Sequence, residues 1–367
     1  MKYAAHFIVI FALSSGLFAQ STTAQFKIIP ADDNAITYVG RTLVDSNGQV
    51  SFDWTGVYLR TQFTGGYCSV QLSDTKANYF DLFIDGNRIK TFIVKNDTSV
   101  VLASGMGEEA HELMLYKRTE GEQGTTTITH FTVTADGTLL PSNVNPAKRI
   151  LFIGNSITCG FGAIGSDPTA RFSPATENSY LSYASIASRY FDADYQLIAH
   201  SGMGVVRNYG DPHPLSRITM RDRFLRVFDQ DSTHLWQFDR WIPDVVIVKL
   251  GTNDLSNPAI CPTREQFIAG YLDLIASIRN CFGTVPIICL TSCMSGDKLA
   301  DFVQNAVKQS SDEKVFFVEI KREMLNPSTD FGAAHHPNYE GQKKMASVLI
   351  PYLSTIMNWQ LTNKPIM

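Results

Sequence analysis

At 367 residues the chain is long enough for about two domains, and its 44% hydrophobic and 18% charged composition is that of a soluble globular protein. A formal charge of −4 argues against a nucleic-acid partner, which would need a basic stripe. No apolar run beyond the N-terminus is long enough to span a bilayer.

Residues 1–24 read as an export leader. Lys2 supplies a positive flank, Phe7 to Ala19 an apolar stretch, and Ala19 or Ala24 a small-residue cleavage site. A secretory signal peptide is expected, with the mature chain secreted or periplasmic. No cysteine directly follows the apolar stretch, so a lipid anchor is not expected.

From 26 to 145 the pattern is all-β. Val57 to Phe63 alternates with a period of two, as a half-buried strand does. Tyr79 to Ile84 and Arg88 to Val94 flank Asp85-Gly86-Asn87, a tight hairpin signal. Val100 to Leu102, Glu112 to Lys117 and Thr125 to Thr134 continue the series. Short strands at this spacing predict a sandwich or jelly roll. Pro141 to Pro146, two prolines framing small polar residues, reads as a linker.

From 148 to 358 strands and helices alternate. Strands are expected at 149–154, 195–200, 244–250, 285–291 and 314–319, and helices at 178–191, 263–281, 297–310 and 339–358. Thr263 and Gln266 have capping-box spacing, and Leu272, Ile275, Ala276 and Ile278 give that helix an apolar face. Alternation predicts a parallel sheet flanked by helices, with ligands at the carboxyl ends of its strands.

Four short blocks fall at such strand ends or before a helix: Gly154-Asn155-Ser156-Ile157-Thr158, Ser201-Gly202-Met203-Gly204, Gly251-Thr252-Asn253-Asp254 and His335-His336-Pro337-Asn338. Acyl transfer needs a nucleophile, a base and oxyanion donors. Ser156 can supply the first and His336 the second. The N–H groups of Ser156 and Gly202 and the amide of Asn253 can supply the third.

In this order the blocks resemble the SGNH (GDSL-type) hydrolases, whose Ser, Gly, Asn and His are matched by Ser156, Gly202, Asn253 and His336. The run from Ser201 to Gly210, behind an all-β domain, resembles carbohydrate esterase family 2. That resemblance implies a jelly-roll domain, a serine esterase removing acetyl groups from xylan or glucomannan, and an acetylated polysaccharide or oligosaccharide as partner. It favours His336 over His335 as base, because the family's catalytic His directly precedes Pro. The wider family carries Asp three residues before that His. Here the position is Ala333, and Asp330 lies six residues before. The resemblance therefore implies a Ser-His dyad oriented by a backbone carbonyl, with Asp330 as the other candidate orienter if its loop folds back. Two alternatives stand beside the esterase: an inactive carbohydrate-binding protein, and a lipase or thioesterase of the same superfamily.

The remaining residues are read more plainly. Gly204 competes with Gly202 for the oxyanion role. Asp254 is expected to bond nearby backbone in an Asx-type turn, and His200 and His213 to be ordinary histidines. Tyr209, Arg207 and Asn208 are candidate sugar contacts, with bracing of the loop as the other reading of Arg207 and Asn208. Trp54, Trp236, Trp241 and Tyr339 are further aromatic candidates, with Trp241 expected in the core. Six cysteines allow 15 pairings, though most read as buried thiols, and Cys159 is placed close enough to line the site. No cluster has convincing metal spacing, and neither metal nor cofactor is expected.

Overall fold

The structure, a computed structural model, describes residues 25–367; the expected leader lies outside the described residues. Its N-terminal domain is built from two antiparallel sheets. One runs in the order Leu43–Val44, Val50–Phe52, Thr126–Thr134, Cys68–Asp74, Thr98–Ala103, with Phe26–Pro30 also paired to Thr126–Thr134. The other runs Leu139–Leu140, Tyr58–Phe63, His111–Lys117, Asn78–Ile84, Asn87–Val94, with Thr37–Val39 on Tyr58–Phe63. Val70, Leu72 and Phe131 of the first share one apolar core with Leu59, Phe80 and Leu115 of the second.

The hairpin at Asp85-Gly86 forms as its sequence dictates. Ile84 pairs with Asn87, and the two turn residues sit at φ 50° and 77°, which suits a type I′ turn. Several strands escaped the period-two reading because they are too short to show a period. Thr37–Val39 and Val50–Phe52 have three residues each, Leu43–Val44 and Leu139–Leu140 two.

The C-terminal domain holds a five-stranded parallel sheet in the order Ala193–Ala199, Lys148–Gly154, Val245–Val248, Ile287–Leu290, Val315–Val318. The first strand in sequence lies between the second and third. The chain therefore reverses its winding there, and a crevice opens at the carboxyl ends of those strands. Helices Arg264–Phe282, Asp297–Ser310 and Tyr339–Met357 match their expected spans closely, and the Thr263–Gln266 capping box is formed. The helix expected at 178–191 is shorter, Tyr183–Tyr190. Ser182 caps it by accepting the Ser185 N–H, and a separate 3-10 turn precedes it.

The two domains are tied by buried polar contacts. Arg41 donates to the carbonyls of Phe224 (2.5 Å) and Arg226 (2.6 Å), while Arg60 pairs with Asp194 at 2.9 Å. At Gly56, φ is 70° and a Cβ would lie 2.7 Å from Leu197 Cδ1, so only glycine allows this approach. No described helix is long and apolar enough to cross a membrane.

Candidate active site

Ser156 opens a single helical turn, Ser156–Cys159, directly after the strand Lys148–Gly154. Gly160 closes that turn in the left-handed region at φ 71°. The serine is nearly buried, and its Oγ donates to Nε2 of His336 at 2.8 Å. The opposite ring nitrogen, Nδ1, donates to the backbone carbonyl of Ala334 at 2.9 Å. That second bond fixes the tautomer that leaves Nε2 free to accept.

The carbonyl reaches His336 because the chain doubles back through two left-handed residues, Ala334 at φ 52° and His335 at φ 55°. Such conformations cost about 1–3 kcal/mol each in non-glycine residues. They are held by the Ala334 N–H on the Ala170 carbonyl (2.8 Å) and the His335 N–H on Pro168 (2.9 Å). Phe161 lies against the imidazole, ring centroids 4.3 Å apart. Burial pushes His336 down to about 4; the Ala334 carbonyl opposes this, and Lys249 and His335 add to it.

Three residues that line the cleft carry candidate oxyanion donors. Among the described residues neither the Ser156 N–H nor the Gly202 N–H has an intramolecular acceptor. Gly202 stands just past the strand Ala193–Ala199, at φ 78°. Asn253 spends one amide hydrogen on the Met203 carbonyl at 2.8 Å, which orients the second. Ser156, Gly202, Asn253 and His336 line one cleft of about 720 Å³, with Tyr209 on its rim 71% exposed. The four blocks read from the sequence thus meet at one place.

Several expectations need correction. Asp330 does not orient the imidazole. Its carboxylate is engaged by the Asn326 N–H (2.6 Å), the Thr329 hydroxyl (2.9 Å) and Lys344 (2.5 Å). Arg207 is buried, and its guanidinium bonds the carbonyls of Asp211, His213 and Asn253. Asn208 accepts the Gly204 N–H and donates to the Ile218 carbonyl, so both residues brace the loop and neither reaches into the cleft. The same bond occupies the Gly204 N–H and leaves Gly202 as the free donor. Asp254 bonds no nearby turn. It straps the N–H groups of Val205, Val206 and Arg207 across the sheet at 2.7–3.0 Å. Trp54 and Trp236 are buried, leaving Tyr209 as the exposed aromatic of that group at the cleft. Cys159 is fully buried behind the site, and all six cysteines are free.

Other participants carried no sequence signal. Lys249 is buried, with its Nζ 3.3 Å from Asn155 Oδ1, and desolvation holds it down to about 8. Glu120 arrives from the β domain. An apolar strand end and a loop after a β-strand give no hint of either. Glu120, Cys159 and Glu177 each bring one potential metal-ligating atom within 4.8 Å of the others. Burial raises all three, and Cys159 Sγ donates to Glu120 at 3.6 Å.

Residues 38–142 match the carbohydrate esterase 2 N-terminal model, and residues 152–344 match the GDSL-like lipase/acylhydrolase family. The chain is 34% identical over 341 residues to a cellulase/esterase of Acetivibrio thermocellus, covering 90% of this chain and 40% of that relative, so it spans less than half of that protein's length. It is 27% identical over 351 residues to an acetylxylan esterase / glucomannan deacetylase of Cellvibrio japonicus, covering 93% of this chain and 94% of the relative. Among solved structures, a family two carbohydrate esterase from Clostridium thermocellum in complex with cellohexaose is similar. It has a TM-score of 0.82 and 33% identity, covering 89% of this chain and all of that one.

Proposed function

Because this chain belongs to the family 2 carbohydrate esterases, we propose that it removes O-acetyl groups from plant cell-wall polysaccharide, acetylated xylan or glucomannan, through an acyl-enzyme on Ser156. The observation that carries this reading is the 2.8 Å bond from Ser156 Oγ to His336 Nε2, beside two unoccupied backbone donors and a half-occupied amide.

The geometry supports the following chemistry. Ser156 Oγ attacks the acetyl carbonyl carbon while its proton passes to His336 Nε2. Negative charge gathers on the carbonyl oxygen, where the Ser156 and Gly202 N–H groups and the Asn253 amide can receive it. The tetrahedral species collapses, and His336 returns its proton to the departing sugar hydroxyl. Water, deprotonated by the same nitrogen, then attacks the acetyl-serine; the C–Oγ bond breaks, acetate leaves, and His336 returns the proton to Ser156 Oγ. The Ala334 carbonyl keeps the ring aligned but cannot neutralise the imidazolium as a carboxylate would.

Polysaccharide is favoured over a lipid ester because the cleft is open and carries an exposed Tyr209 for a sugar face. Deacetylation of xylan or glucomannan is what the Cellvibrio japonicus relative is named for. The test is acetate release from acetylated xylan, acetylated glucomannan and a long-chain ester, by wild type and Ser156→Ala. Release from the polysaccharides that vanishes with Ser156 supports the reading. Retention in Ser156→Ala, or preference for the long-chain ester, overturns it.

A further inference from the structure

We propose that Glu120, a residue of the β domain, is a positioning residue for the oxyanion donors, so that docking of the β domain completes the active site. This deepens the esterase reading and rests on it.

Glu120 follows the strand His111–Lys117 and is 1% exposed. Its Oε2 accepts the Ser201 N–H at 2.6 Å. The next residue is Gly202, whose N–H is free. The same oxygen accepts the Cys159 thiol at 3.6 Å. Cys159 belongs to the one-turn helix that Ser156 heads. One Glu120 oxygen of the β domain therefore meets the Gly202 loop through its backbone and the Ser156 turn through the Cys159 side chain.

Its own position is over-determined. The Glu120 N–H donates to Glu177 Oε1 at 3.2 Å, and the buried Lys117 ammonium donates to the carbonyls of Asp53 (2.8 Å), Thr119 (2.5 Å) and Glu120 (3.4 Å). A second route reaches the same loop. Asp53 of the β domain accepts the N–H groups of Asp229 (2.8 Å) and Gln230 (3.2 Å), and Asp229 accepts from His200 at 2.5 Å. His200 and Ser201, the two residues ahead of Gly202, are thus both fixed through contacts that begin in the β domain.

A bond to a backbone N–H sets the tilt of its peptide plane, and the next plane carries the Gly202 donor. A donor aimed at the transition-state oxygen, and not at the ground-state carbonyl, changes kcat more than KM. Shortening the acid by one methylene withdraws the oxygen from Ser201 and leaves a buried N–H unmet.

The experiment compares wild type, Glu120→Asp and Glu120→Gln on p-nitrophenyl acetate and acetylated xylan, each normalised to active sites by the burst of p-nitrophenol. Glu120→Asp is expected to lose about 10–100-fold in kcat per site, a misaimed donor costing less than the 10²–10³ of a deleted one, with KM within about two-fold. Glu120→Gln, which keeps an acceptor oxygen, recovers most of that loss. Hydrogen exchange at the Ser201 amide gives a readout independent of turnover, with faster exchange expected in Glu120→Asp. A wild-type kcat per site in Glu120→Asp, even with a lowered Tm, overturns the proposal, and so does unchanged Ser201 exchange. A wild type without turnover contradicts the esterase reading and this proposal together. An active wild type beside an unimpaired Glu120→Asp contradicts this proposal alone.

Discussion

The Ala334 carbonyl stands 2.9 Å from Nδ1 of His336 and occupies the place where a triad carboxylate would bind. Asp330, the nearest carboxylate ahead of it in sequence, is turned toward Lys344 and the Asn326 N–H. The two facts support the proposed dyad, and experiment separates it from a triad. Asp330→Asn is expected to keep kcat within about two-fold, whereas a triad carboxylate changed this way costs about 10⁴. The same variant should lose about 1–3 kcal/mol of stability, because a buried acceptor of three bonds is compromised. Paired kcat and denaturant-midpoint measurements check both halves.

The candidate site was legible in the sequence because its motifs are local. Ser156, Gly202, Asn253 and His336 each sit in a short block with small residues beside them, and each block ends a strand or starts a helix. The parallel sheet was equally plain, since Val245–Val248 and Ile287–Leu290 are unbroken apolar runs buried along their whole length. What the sequence hid are pairings across long separations. Arg207 reads equally as a sugar ligand or a loop brace, because an arginine in a glycine-rich loop has no visible partner. Its acceptors, Asn253 O and the 211–213 carbonyls, are set only by the folded loop. Glu120 and Ser201 are 81 residues apart and in different domains. Two-residue strands such as Leu43–Val44 exist because a neighbouring strand offers hydrogen bonds, and no local pattern encodes that.

The depressed His336 gives a pH prediction. The base must be neutral to accept the Ser156 proton, so the acid limb of kcat/KM is expected near pH 4 and not near the 6.5 of an ordinary imidazole. Stability follows with the corresponding sign. The unfolded imidazole binds its proton at higher pH than the folded one, so this group's contribution is intact above about 6.5 and is lost as pH falls toward 4. A pH–rate profile with an acid limb at 6 or above would contradict this.

Lys249 is one cause of that depression. Lys249→Met removes a cation near His336, so the acid limb should move to higher pH, while the Asn155 side chain loses a partner. Profiles of the two proteins in one buffer series measure the shift; an unmoved or lowered limb counts against the assignment.

Asn253 tests the oxyanion site. Asn253→Ala is expected to lower kcat by about 10²–10³ with little change in KM. Its amide also holds the Met203 carbonyl. A thermal melt of the variant separates a lost donor from a loosened loop, since the lost donor alone leaves Tm nearly in place.

Tyr209 tests the sugar contact. Exposed at the rim, it does nothing for the fold, so Tyr209→Ala should leave Tm and p-nitrophenyl acetate turnover unchanged. KM for acetylated oligosaccharides should rise several-fold, in line with the loss of one aromatic stacking face worth about 0.5–1.5 kcal/mol. Equal KM values on the oligosaccharide would remove Tyr209 from the binding surface.

The proposed mechanism passes through a covalent acetyl-serine, so the most direct test is to acid-quench the wild-type enzyme during turnover of p-nitrophenyl acetate and map its peptides by mass spectrometry. An acetyl group on the peptide containing Ser156, absent in Ser156→Ala, is the predicted result. Steady turnover with no acetyl adduct on Ser156, or an adduct on another residue, would contradict the Ser156–His336 mechanism.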